Sequence, residues 1–174
     1  MLIGGYLWSS YNQLVSLSES IDNRWAQVET QYQRRLDLIP NLVESVKGIM
    51  AQEQRIFSEL AEARSQYAGA SGANKKAQAA TQIEGALSRL IAIMENYPQL
   101  KSSENVGTLM IQLEGTENRI SVERKRYNDA VQSFNVVIKR FPTNLIAKQF
   151  NYSEKNYFTA EAGSENAPQV DLEN

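Results

Sequence analysis

Apolar side chains recur at steps of three and four along most of this chain, and no segment alternates apolar with polar as a strand would. The longest run, from about Ser103 to Arg140, carries Val106, Met110, Leu113, Glu117, Ile120, Arg124, Tyr127, Val131, Phe134, Ile138 and Phe141. Steps of four and three alternate there, which is a heptad seam holding one stripe of a long helix against a partner. Lys139 and Arg140 stand at its end, where cations complement the helix dipole, and Pro142 stops it. An earlier run from about Ser10 to Leu36 aligns Leu14, Leu17, Ile21, Trp25, Val28, Tyr32 and Leu36. Another, from Leu38 to about Ala68, aligns Leu42, Val46, Ile49, Ile56, Leu60, Ala63 and Tyr67, with Gly48 as a weak point. After the small-residue loop Gly69–Asn74, Ala77, Ala80, Ile83, Leu87, Leu90 and Met94 form a narrow stripe reaching about Asn96. Tyr97-Pro98-Gln99-Leu100-Lys101-Ser102 then breaks the pattern, and Ser102 or Ser103 is placed to cap the last long helix, with Glu104 in its first turn.

The block Arg34-Arg35-Leu36-Asp37-Leu38-Ile39-Pro40-Asn41-Leu42 puts charges and a proline into the middle of this apolar pattern. Charges resist burial, and an internal proline loses a backbone hydrogen bond and crowds the preceding turn. Two architectures satisfy the block. Asp37 caps a new helix and the chain reverses, with Pro40 tolerated in a first turn; or Pro40 merely kinks one very long helix. The similar lengths of the two flanking segments favour reversal, as an up-and-down bundle wants. The expected fold is therefore all-α: an up-and-down four-helix bundle over residues 10–160. Residues 1–9 are expected to be the end of a membrane anchor or a frayed helix start, and residues 161–174 an acidic, disordered tail. Between them, Phe150, Tyr152, Tyr157 and Phe158 form an aromatic extension suited to packing on the bundle end.

Composition excludes most chemistry. With 18 Lys and Arg against 20 Asp and Glu, the net charge of −2 argues against a nucleic-acid partner. There is no cysteine and no histidine, so thiolate nucleophiles, the usual zinc ligands and the commonest general base are all missing. No cofactor, metal or catalytic residue is expected. The start, Met1-Leu2-Ile3-Gly4-Gly5-Tyr6-Leu7-Trp8, is apolar but shorter than the ~20 residues a spanning helix needs. It also lacks the basic start and cleavage site of a signal peptide. If it closes a membrane helix, Tyr6, Leu7 and Trp8 lie at the membrane–water boundary, where aromatic belts occur.

Several motifs resemble the LemA family: Tyr11-Asn12-Gln13-Leu14-Val15, the block Arg34 to Glu44, Tyr97-Pro98-Gln99-Leu100-Lys101, Leu113-Glu114-Gly115-Thr116-Glu117-Asn118-Arg119-Ile120 and Arg126-Tyr127-Asn128, ending near Phe141-Pro142. The resemblance implies a helical bundle carried on an N-terminal transmembrane helix in a bacterial inner membrane. It includes a branch associated with magnetosome membranes, which points to membrane organisation rather than catalysis. Two departures stand out. The membrane helix is at best half present, and Gln52 stands where the family often has histidine.

Glu117 and Arg124 occupy seam positions, while Arg34, Arg35 and Asp37 end the first apolar run. Buried charge is tolerated when paired and hydrogen-bonded. The expected arrangement is a structural polar network of Arg34, Arg35, Asp37, Asn41, Glu117, Asn118 and Arg124 that fixes helix register, with at least one arginine paired to Glu117. A ligand pocket and a catalytic Glu117 are the alternatives. Arg124-Lys125-Arg126 is a short basic cluster, read as a solvated face because Glu123 and Asp129 flank it. The functional expectation is a non-catalytic, membrane-anchored scaffold in the bacterial inner membrane. It meets lipid through its N-terminal segment, self-assembles as a homo-oligomer, and organises or shapes membrane or clusters envelope partners. A ligand-binding bundle, or an adaptor for an envelope protease, is the alternative.

Overall fold

In the computed structural model, which describes residues 2–158, the first helix does not stop at Pro40. Helix α1 spans Leu2–Lys47, 46 residues with Pro40 inside it, which at 1.5 Å per residue is a rod of about 70 Å. The expected reversal at Pro40 is therefore corrected. Proline deletes one backbone hydrogen bond, whereas Ile39, Leu42 and Val46 beside it are fully buried and continue the apolar face of Val28, Tyr32 and Leu36. Asp37 caps nothing; it lies exposed on the helix and accepts a hydrogen bond from Gln33 Nε2 at 2.8 Å.

The reversal comes one turn-pair later. Gly48 is exposed, Met50 is completely buried, and the amides of Ile49 and Met50 both donate to the Val46 carbonyl, at 3.1 and 2.9 Å. Met50 thus plugs the end of the core while the chain turns. Helix α2 (Gln54–Gly69) descends along α1, bringing the Tyr67 ring within 5.7 Å of Tyr32. Gly72, at φ 81°, takes a left-handed conformation suited to glycine and admits α3 (Ala73–Met94). A one-turn helix, α4 (Pro98–Lys101), buries Leu100 and leads through Ser103 into α5 (Glu104–Lys139). Ser103 holds the cap position by its backbone alone: its carbonyl accepts from the Gly107 amide at 2.9 Å, and its side chain makes no capping bond.

Consecutive long helices run antiparallel, so the up-and-down order holds, but only for the half of the rod beyond about Glu29. There α1, α2, α3 and α5 surround a core containing Tyr32, Ile39, Leu42, Leu60, Ile83, Leu90 and Ile120. Toward the N-terminus, α1 and α5 continue as a pair. A different partner covers them: α6 (Thr143–Gln149) and an extended strap to Phe158. Asn151, at φ 58°, turns the chain out of α6, a conformation asparagine tolerates better than most residues. The aromatic extension thus runs along the bundle rather than sitting on its end. Phe150 meets Tyr11 at 4.6 Å between ring centroids, Tyr152 meets Phe134 at 5.9 Å, and Phe158 stacks on Trp25 at 5.6 Å. The seam of α5 also ends early, since Phe141 is 81% exposed. The acidic tail lies outside the described residues.

Because Pro40 interrupts a helix that both flanks support, Pro40→Ala should leave the fold intact and raise stability by about 1–3 kcal/mol as the lost hydrogen bond is restored. Urea unfolding followed by circular dichroism measures this; a large destabilisation would mean that proline shapes a turn.

Candidate functional site

At the middle of the rod a charged side chain stands where the helical pattern calls for an apolar one. Arg35 follows Val28 and Tyr32 along the buried stripe of α1 and precedes Ile39 and Leu42; it is 2% exposed. A guanidinium cannot be left there unpaired, and the facing helices supply partners. Arg35 Nη2 pairs with Glu117 Oε2 of α5, Nη1 lies 3.4 Å from Glu84 Oε1 of α3, and Nε donates to Thr116 Oγ1 at 3.4 Å. Thr116 in turn donates to the Leu113 carbonyl at 2.7 Å, which orients its oxygen toward the arginine. Two helical turns further along α5, Arg124 Nη2 donates to Glu84 Oε1 at 2.7 Å and to the Tyr32 hydroxyl, and Tyr32 donates to the same Glu84 oxygen at 3.3 Å. Glu84 is therefore the anion shared by two arginines from two different helices.

Aromatic rings finish the site. The Arg124 guanidinium lies 5.4 Å from the Tyr32 ring centroid and 5.1 Å from that of Phe158, within cation–π range. Phe158 is delivered by the strap, which asparagines hold to α5. Asn128 donates Nδ2 to the Phe158 carbonyl (2.9 Å) and accepts from its amide (2.8 Å); Asn135 does the same with Lys155, at 2.9 Å for both bonds. Seven residues apart on one helix, the two amides satisfy an extended backbone as a neighbouring strand would.

Burial tunes these groups. It pushes Glu84 above the ordinary carboxylate range, against the opposing pull of the Arg124 charge, with Glu117 adding to the rise. Tyr32 is also pushed up by burial and by the Glu84 charge, and burial raises the nearby Tyr67 phenol to about 12. Both phenols therefore stay neutral at neutral pH. Arg124 Nε is buried with no partner among the described residues.

Of the residues expected to form the network, Arg35, Glu117 and Arg124 come together. Arg34, Asp37, Asn41 and Asn118 do not: all four are exposed. A continuous helix turns successive residues by about 100°, so Arg34 and Asn118 point away from their inward neighbours, and Asp37 and Asn41 fall on the outer face of α1. The expected burial of Arg34, Asp37 and Asn41 depends on a turn at Pro40. Glu84 and Tyr32 escaped the sequence reading as polar partners. Glu84 sits four residues after Ala80 and three before Leu87, in register with a stripe of apolar residues, and that carboxylate was the available signal. Arg126 pairs outward with Glu123 at 2.6 Å and Lys125 is exposed, so the basic cluster splits between core and surface. Tyr6, Leu7 and Trp8 lie exposed in the first turns of α1, with Tyr6 hydroxyl 3.1 Å from Thr143 Oγ1 of α6.

Beside the network an open groove of about 460 Å³ separates α3 from α5, with Leu87, Ile91, Met110 and Ile111 on its walls and Arg35, Glu84 and Glu117 at its base.

An elongated all-α rod closed at its waist by an arginine–carboxylate network is the class of protein these features define. The chain belongs to the LemA family, whose sequence pattern matches residues 24–172. It is similar to the magnetosome proteins MamQ 1 and MamQ 2 of Paramagnetospirillum magneticum and MamQ of Magnetospirillum gryphiswaldense, each 28% identical over 85% of this chain. The chain spans 64% of the length of each of these relatives.

The two carboxylates should differ in weight. Glu117 is 52% exposed, so Glu117→Gln should cost about 1 kcal/mol or less. Arg35→Ala removes the guanidinium shared by Glu84 and Glu117 and leaves the buried Thr116 Oγ1 without its donor, and should cost about 3–5 kcal/mol; equal costs in denaturant titrations would contradict this ranking. Glu84 also gives a pH signature. The folded chain holds its proton to higher pH than the unfolded chain, so its contribution to stability declines as pH rises from the ordinary glutamate value through the raised one. Carboxyl-carbon NMR should place the Glu84 midpoint above that of a model glutamate; a midpoint at or below it would contradict the burial argument.

Proposed function

We propose that this protein is a non-catalytic, membrane-anchored helical scaffold of the bacterial inner membrane, which self-assembles and organises or shapes membrane or clusters envelope partners. The observation that carries the reading is the use made of the central charges. Arg35, Glu84, Glu117 and Arg124 are engaged with one another across α1, α3 and α5, which is how a register lock is built rather than a reactive centre with groups held ready for substrate. Membership of a family with magnetosome proteins among its members supports a role at membranes.

Among the described residues no helix is long and apolar enough to cross a membrane. Anchoring is assigned to the N-terminal segment, whose Tyr6, Leu7 and Trp8 have the character of an interfacial belt. The groove between α3 and α5 favours a second reading, a ligand-binding bundle, through its charged base and apolar walls. It is open to solvent rather than closed around a ligand-shaped cavity, which weighs toward the scaffold.

Protein extracted from its native membrane in mild detergent, or reconstituted in lipid, should sediment as a species larger than one chain. Sedimentation only as a monomer, in lipid and in detergent, would overturn self-assembly.

A further inference from the structure

The elbow between α5 and α6 carries an unusual surface. Phe141 is 81% exposed, and Leu145 and Phe150 are also exposed, although each is a large apolar side chain. They stand at the N-terminal end of the rod: Tyr6 is bonded to Thr143, and Phe150 packs on Tyr11. That is the level of α1 where Tyr6, Leu7 and Trp8 are exposed as well, Trp8 by 73%. Exposed charge at this end is mainly positive among the described residues. The chain has no charged side chain before Glu19, and the elbow contributes Lys139, Arg140 and Lys148, all exposed. Lys139 meets Glu154 at 2.9 Å, while Arg140 and Lys148 have no ion-pair partner among the described residues.

We infer that the α5–α6 elbow is a second membrane contact, a foot that rests on an anionic phospholipid surface beside the start of α1. The inference deepens the membrane reading above and rests on it. Apolar and aromatic side chains with neighbouring cations, and no unpaired acid beside them among the described residues, suit the boundary between acyl chains and anionic headgroups. Phe141, Leu145 and Phe150 enter the boundary, and Arg140 and Lys148 meet phosphate. Two points of contact also fix the direction in which the rod leaves the membrane, because Tyr6–Thr143 and Tyr11–Phe150 tie the foot to α1.

Tryptophan quenching tests this on the full chain in vesicles of phosphatidylcholine with a minority of phosphatidylglycerol, the acyl chains brominated near the headgroup. The natural tryptophans are Trp8 and Trp25. Trp8 is read in a W25F variant, and the elbow in Phe141→Trp on a background with both replaced by phenylalanine. Ile111→Trp on that background is the control, since Ile111 is 72% exposed but lies about 45 Å up α5. Strong quenching of Trp8 and of the elbow probe, with the Ile111 probe unaffected, is the expected result. It should weaken on Arg140→Gln with Lys148→Gln. Quenching of Trp8 without the elbow probe overturns the foot and leaves the membrane reading standing. Quenching of neither overturns both. Quenching of the elbow probe without Trp8 supports the foot and overturns anchoring through the start of α1. Quenching at all three positions would show unspecific insertion and overturn the foot.

Discussion

A single buried guanidinium governs how this rod is assembled. Arg35 occupies a position of α1 that the apolar stripe would otherwise fill, and at 2% exposure it cannot be solvated. Its partners come from α3 and α5, so the arginine is neutralised only when three helices are in register. Apolar packing alone is permissive, because one layer of aliphatic side chains can slide past another at modest cost. A buried ion pair is weak as a source of net stability but intolerant of displacement. The network is best understood as the device that selects one register of α1 against α3 and α5 among several that the heptad seam permits.

Around this waist the rod divides into halves with different solutions to the same problem. Beyond about Glu29, α2 and α3 cover the α1–α5 pair. Toward the N-terminus α6 and an extended strap do the work, the strap's backbone held by Asn128 and Asn135 and its rings inserted beside Trp25, Tyr127 and Phe134. The halves are joined at Arg124, which binds Glu84 of one and lies against Phe158 of the other.

What the sequence made legible follows from which forces are periodic. The helices, the seam of α5, and the seam positions of Glu117 and Arg124 could be read because burial repeats with the helical turn; which of Arg34 and Arg35 turns inward could not, because that depends on α1 continuing through Pro40. The path of the strap could not, because its fixation depends on asparagine side chains on another element, and Asn128 and Asn135 look like ordinary polar residues of a helix. Pro40 misled for a related reason. Its local cost is certain, but three buried aliphatic neighbours outweigh one lost hydrogen bond, and only the three-dimensional packing shows that they are buried. The exposed Arg34, Asp37 and Asn41 belong to the expected network only if the chain turns at Pro40, whereas Asn118 of α5 is adjacent to Glu117 in sequence but not on its face of the helix.

A register lock at the waist requires energetic coupling between Arg35 and Glu84. A double-mutant cycle with Arg35→Met, Glu84→Gln and the pair, read by equilibrium unfolding, measures it directly. With the lock in place, the double replacement should destabilise by less than the sum of the two single ones, with a coupling of about 1–3 kcal/mol. Additive losses, with no coupling beyond error, would contradict it and leave the register of the rod to apolar packing alone.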